Sequence, residues 1–156
     1  MLNPDFRDML SAFGAEGVEF LVVGGYALAL HGLPRATGDL DFWIRRSPHN
    51  ATRIMRALAA FGAPLDQVTE TDLCQPDLIF QLGIEPNRID IVTAIDGVEF
   101  DDAWPNRVVA AIDGVEVPFI GLRDLITNKR VAGRPQDIAD VSRLETELVR
   151  RKDSGL

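Results

Sequence analysis

A chain of 156 residues, 46% of them hydrophobic, is long enough for one domain with a substantial core and too short for a catalytic domain plus a second large one. Its net charge of −8 excludes a broad basic face for duplex nucleic acid, and the Lys and Arg residues that gather after position 100 are interleaved with acids, as on a solvated helix face. The lone Cys74 excludes an internal disulfide, and with neither a signal-like apolar region nor a run of membrane-spanning length the protein is expected to be soluble and cytoplasmic.

The chain opens with a predicted helix from about Pro4 to Phe13, with Asn3 as cap, Pro4 in the first turn and Gly14 as the stop. A strand, Glu19 to Val23, follows; EFLVV is too apolar to be anything but buried. Gly24 and Gly25 then feed a short helix, Tyr26 to His31, and a loop, Gly32 to Gly38, leads to a strand rich in apolar and aromatic residues that carries Asp39 and Asp41. Ser47-Pro48 opens a helix with Ile54, Met55, Leu58 and Phe61 on its buried side, closed by Gly62 and Pro64. Leu78 to Leu82 and Arg88 to Thr93 read as an antiparallel hairpin joined by a Pro-Asn turn, and Asp113-Gly114 marks a second hairpin between VVAAI and VEVPFI. The end is helical: Leu122 to Val131, a break at Gly133, Arg134 and Pro135, then Gln136 to about Arg151. These elements predict a single α+β domain over residues 1–156, a mixed β-sheet flanked by α-helices.

Chemistry concentrates between Gly24 and Ile44. In a strand, residues two apart share a face, so Asp39 and Asp41 point to one side while Leu40 and Phe42 take the other. Two carboxylates about 4 to 5 Å apart at an effective dielectric of about 20 repel by roughly 3 to 4 kcal/mol. A shared proton or an Arg would offset that repulsion, as would solvation at the mouth of the strand. A divalent cation is the functional answer, and oxygen-only ligands select Mg²⁺ or Mn²⁺. The Gly24-Gly25 turn at a helix start leaves backbone N–H groups free for an anion such as phosphate, although ordinary turn chemistry explains a glycine pair equally well. The GxGxxG spacing of a dinucleotide-binding turn is absent. A third carboxylate, Asp90, alternates with Ile89 and Ile91 in RIDIVTAI and would face away from them, in a strand able to lie beside the first pair. Three converging carboxylates can hold two metal ions and make Asp90 a candidate proton acceptor. His31 and His49 have no partner at ligand spacing, which disfavours zinc.

With Gly24, Gly25, Arg35, Thr37, Asp39, Asp41 and Asp90, followed by GLRDLITNKRVAGRPQDIADVSRL, the chain resembles the DNA polymerase beta-like nucleotidyltransferase superfamily, in the minimal prokaryotic branch that includes toxin-related, AbiEii-like proteins. The resemblance implies a metal-dependent transferase in which the glycine turn, with Arg35 and Thr37, contacts the nucleoside triphosphate. It implies that Asp39 and Asp41 bind metal and that Asp90 completes the catalytic and metal-binding set. The order Lys129, Arg134, Asp137 also occurs in that branch and suggests that Lys129 reaches the phosphates; its helix neighbours equally suit a surface cation. Many members have Gly-Ser where this chain has Gly24-Gly25, which removes a hydroxyl but keeps the backbone donors. Two functions are then open. One is transfer of a nucleoside monophosphate from an NTP to a hydroxyl on a small molecule, RNA or protein; the other is a catalytically idle, antitoxin-like binding partner of the same fold. The chain carries no obvious acceptor-binding domain, so a protein partner or a second copy would supply the rest of the site.

Overall fold

Two hairpins and a buried antiparallel pair assemble into one mixed sheet. The computed structural model describes residues 2–35, 38–84 and 87–153. Strands β1 (Phe20–Val23), β2 (Leu40–Ile44), β3 (Ile79–Leu82), β4 (Ile89–Val92), β5 (Val108–Ile112) and β6 (Val115–Phe119) lie in the order β3-β4-β2-β1-β6-β5. β2 runs antiparallel to β1 and parallel to β4, β6 is parallel to β1, and both predicted hairpins, β3–β4 and β5–β6, are antiparallel pairs. Asp113 and Gly114 both have positive φ, 50° and 81°, as the two-residue turn between β5 and β6 requires. Pro86 of the other expected turn lies outside the described residues.

The helices are α1 (Pro4–Ala15), α2 (Gly24–Leu30), α3 (Pro48–Phe61), α4 (Glu70–Leu73), α5 (Phe100–Ala103), α6 (Leu122–Ala132) and α7 (Pro135–Asp153). Asn3 caps α1 as expected, but the helix passes through Gly14 and stops only at Glu16, before Gly17 takes a φ of 67°. The left-handed residue ends the helix, not the first glycine in the sequence. The glycine pair is likewise not a turn ahead of a helix at Tyr26: Gly24 and Gly25 are the first two residues of α2. Ser47 caps α3, whose buried side carries Asn50, Ala51, Ile54, Ala57 and Leu58, with Met55 and Phe61 only partly covered.

Strand alternation divides the sheet into two chemically different faces. On one, Phe20, Val22, Phe42 and Ile44 pack beneath α1, where Phe13 lies edge-on to Phe20 at 5.3 Å and stacks on Phe42 at 4.8 Å. The other face carries Asp41 and Trp43, and Phe100 of α5 packs edge-on against Trp43 at 5.1 Å. Buried Asn50 ties the far end of this region together. It accepts from the Glu19 N–H at 2.8 Å and donates to the carbonyls of Glu19 and Arg45 at 3.0 and 2.9 Å, which fixes where β2 leaves the sheet. No helix among the described residues is long and apolar enough to cross a membrane.

Candidate active site

Register brings the carboxylates together. In the parallel pair β2–β4, Asp41 stands opposite Asp90, so the two side chains leave adjacent strands on one face. Asp39, expected within the strand, sits just before β2 begins, and Arg88 links it to Asp90. The Arg88 Nε donates to Asp90 Oδ1 at 2.7 Å and its Nη2 to Asp90 Oδ2 at 3.1 Å, while Nη2 lies 3.2 Å from Asp39 Oδ2 and the Arg88 backbone N–H donates to Asp39 Oδ1 at 3.3 Å. Asp39, Asp41 and Asp90 thus form one cluster at the end of the sheet where β1 finishes and β2 and β4 start, with the opening of α2 beside it.

Gly24 makes that packing possible. Its φ is 71°, and a Cβ there would stand 2.1 Å from Asp41 Oδ2. Only a residue without a side chain leaves room for this carboxylate against the turn. The sequence points to Gly24 as a phosphate contact; the structure adds a steric reason for it.

Confinement has an electrostatic consequence. Burial, then the nearby charges of Asp90 and Asp39 and a hydrogen bond to Asp90, push Asp41 from 3.8 up to about 7, against the opposing pull of Arg88. The native state therefore keeps a proton on Asp41 that the unfolded chain releases near its ordinary pKa. This contribution to stability is fully present below about pH 4, declines as pH rises, and is lost above about pH 7. Denaturant unfolding of the metal-free protein at pH 5, 6, 7 and 8 is expected to show that decline, and an Asp41→Asn variant to lack it.

Two other expected nucleotide-binding residues, Arg35 and Lys129, meet elsewhere, on a carboxylate that sequence reading passed over. Arg35 pairs with Asp140 Oδ1, and the Lys129 ammonium lies 3.7 Å from Asp140 Oδ2 and donates to Asp137 Oδ1 at 3.3 Å. Lys129 is thus mostly buried between α6 and α7 and is not a free surface cation. Asp137 and Asp140 are both buried, and among the described residues Asp140 Oδ2 has no hydrogen-bond partner. Burial pushes the Asp137 carboxyl up, but the hydrogen bonds and charges of Arg134 and Lys129 together outweigh it and hold it below the ordinary range. The signal was present in the sequence, since Asp137 and Asp140 fall on the same helical stripe as buried Val141 and Leu144 while Ile138 is exposed. Thr37 lies outside the described residues.

Further along the carboxylate face, past the carboxyl ends of β2 and β4, a cavity of about 320 Å³ is lined by Trp43, Arg45, Ser47, Thr93 and Phe100 among others. Trp43 is two residues beyond Asp41, or about 7 Å along the strand. Among the described residues no three His, Cys, Asp or Glu side chains are already gathered into a metal cage.

Solved structures share this architecture. A nucleotidyltransferase candidate from Thermotoga maritima, TM1012, is 16% identical with a TM-score of 0.55, covering 99% of this chain and 96% of that one. ANT(2")-Ia, solved with adenylyl-2"-tobramycin, is 16% identical with a TM-score of 0.55, covering 95% of this chain and 93% of its own. At these identities the likeness shows the fold. No curated protein matches the chain. The model of one family, the nucleotidyltransferases of unknown function DUF6036, matches residues 7–154, nearly the whole length, and the chain belongs to that family.

Proposed function

We propose that the chain moves a nucleoside monophosphate from an NTP to a hydroxyl acceptor, with Asp39, Asp41 and Asp90 holding Mg²⁺ or Mn²⁺. The observation that carries this reading is the Asp41–Asp90 register pair, joined by Asp39, in which negative charge is crowded until one carboxyl keeps its proton to about pH 7. An oxygen-only donor set with excess negative charge suits a hard divalent cation. When bound, the cation supplies charge neutralisation on the triphosphate and a lowered pKa for the attacking hydroxyl. The chain's own residues do the rest. Backbone N–H groups at Gly24 and Gly25 face the phosphates, with Thr37 as a further contact, and Arg35 and Lys129 join them by turning away from Asp140 when the nucleotide binds. Asp90 takes the proton of the acceptor hydroxyl. The new bond joins the acceptor oxygen to the α-phosphorus, the bond from that phosphorus to the β-phosphate bridging oxygen breaks, and pyrophosphate leaves with the electron pair. The cavity beside Trp43 and Phe100 is a place for an acceptor on the same face.

The order Lys129, Arg134, Asp137 supports placing the chain in the AbiEii-like branch; that it works in the cytoplasm, as one domain over residues 1–156, belongs to the same proposal. One observation favours the catalytically idle, antitoxin-like reading: Arg88 already neutralises Asp39 and Asp90. Thermal and denaturant shifts with each NTP, with and without Mg²⁺, separate the two. A ligand at 100 times its dissociation constant stabilises by about 2.7 kcal/mol. Metal-dependent stabilisation by at least one NTP is expected, and no shift with any of them would favour the idle domain. Asp90→Asn should bind NTP and metal nearly as well as the parent in calorimetry yet transfer at least about a hundredfold more slowly, the scale for losing one positioned acid–base group.

A further inference from the structure

Arg88 already sets a positive charge against two of the three carboxylates. It stands two residues before Asp90, so both side chains leave the chain on one side, and its guanidinium forks onto Asp90 while also reaching Asp39. Its side chain is 22% exposed, close enough to solvent to move without unfolding the strand. A guanidinium fits phosphate oxygens as well as it fits a carboxylate fork.

We propose that Arg88 is an exchangeable internal counter-cation that makes metal occupancy of the carboxylates conditional on nucleotide. A bare divalent cation has to displace a tethered guanidinium from both carboxylates and offers it no phosphate oxygens in exchange. When the cation arrives on a triphosphate, the released Arg88 turns from Asp39 and Asp90 to the phosphate oxygens. Arg88 thereby guards the cluster against free metal and keeps its charge balanced between turnovers. The inference rests on the nucleotidyl-transfer reading of the site.

Binding of Mn²⁺ to the protein, followed by loss of the free-ion electron paramagnetic resonance signal without nucleotide and by water-proton relaxation enhancement above that of the Mn²⁺–analogue complex alone with it, tests it without any assay of turnover. Titrations compare the parent and Arg88→Gln, each with and without a non-hydrolysable NTP analogue. In the parent, the analogue should tighten Mn²⁺ binding at least about tenfold, whereas Arg88→Gln should bind bare Mn²⁺ at least about tenfold more tightly than the parent, the effect of removing one close competing charge even after screening. The nucleotide's tightening effect should shrink accordingly. If Arg88→Gln binds bare Mn²⁺ no better than the parent, while the parent binds it with nucleotide, the inference fails and the functional reading stands. If neither binds Mn²⁺ even with nucleotide, both fail. Should Arg88→Gln not fold, the Arg88 Nε–H resonance of the parent, assigned with Arg88→Lys, gives the same answer. It should stay in place with Mg²⁺ alone and move with Mg²⁺ and the analogue together; a resonance that stays fixed in both, or moves equally in both, overturns the inference.

Discussion

Replacing Asp41 with Asn is expected to stabilise the metal-free protein at pH 8 while abolishing nucleotidyl transfer. Above about pH 7 the parent must hold Asp41 ionised in a desolvated position beside Asp90 and Asp39. Asn removes that charge, and its amide can donate to the Asp90 carboxylate as the protonated Asp41 does. A rise from 3.8 to about 7 corresponds to at most about 4 kcal/mol, one pKa unit being about 1.36 kcal/mol, and solvent screening lowers this. The gain should vanish near pH 4, where the parent keeps its proton. Opposite effects on stability and chemistry are the mark of a charge held for function. Urea unfolding at pH 5 and pH 8, beside a transfer assay, checks both halves. An Asp41→Asn protein less stable than its parent at pH 8 would show that the cluster is a structural ion-pair network instead.

Gly24→Ala is the second change with a large expected effect. A Cβ at Gly24 would lie 2.1 Å from Asp41 Oδ2 and 3.1 Å from its Cγ, on a backbone with φ of 71°. The left-handed conformation alone costs an L-residue roughly 1–2 kcal/mol. Relieving the clash means moving either the start of α2 or the Asp41 carboxylate, which brings the total to about 2–4 kcal/mol, in the range of strained-backbone and overpacking substitutions. The two contributions separate in a double-mutant cycle. Asp41→Ala removes the two atoms that crowd the new Cβ and leaves only an ordinary contact with the Asp41 Cβ at 3.5 Å, so adding Gly24→Ala to it should cost only the backbone part. Denaturant melts of the four proteins give the coupling. If Gly24→Ala costs as much with Asp41 removed as with it present, the close approach of turn and carboxylate is not what requires glycine.

The parts of this molecule legible from sequence are those whose signals are local. The cap at Asn3, the helix start at Ser47-Pro48, the Asp113-Gly114 turn and the alternation that turns Asp41 and Asp90 away from their apolar neighbours each rest on residues a few positions apart, and each has its counterpart in the fold, whereas Asp39, expected in the same strand as Asp41, falls one residue short of β2. The two four-residue helices α4 and α5 escaped because one turn is too short to display a period. Gly14 misled because a glycine is tolerated inside a helix when left-handed backbone is needed only three residues later, at Gly17. Arg88 and Asp140 were hidden for a different reason. Arg88 is visible in the sequence as a strand-end residue, but its contact with Asp39 depends on β4 pairing with β2 across the intervening α3 and β3. Asp140 gathers Arg35 and Lys129, which are distant in the chain, and only the acids on an otherwise apolar stripe of α7 betray it.

Transfer of a nucleoside monophosphate by this carboxylate cluster is tested by incubating the protein with Mg²⁺ or Mn²⁺, a cell lysate and each NTP labelled in turn at the α- or the γ-phosphate. The expected product carries α-label and never γ-label, requires the divalent cation, and disappears when Asp90→Asn or Asp41→Asn replaces the parent. Product that carries the γ-label, or that forms equally well with both variants, would contradict it.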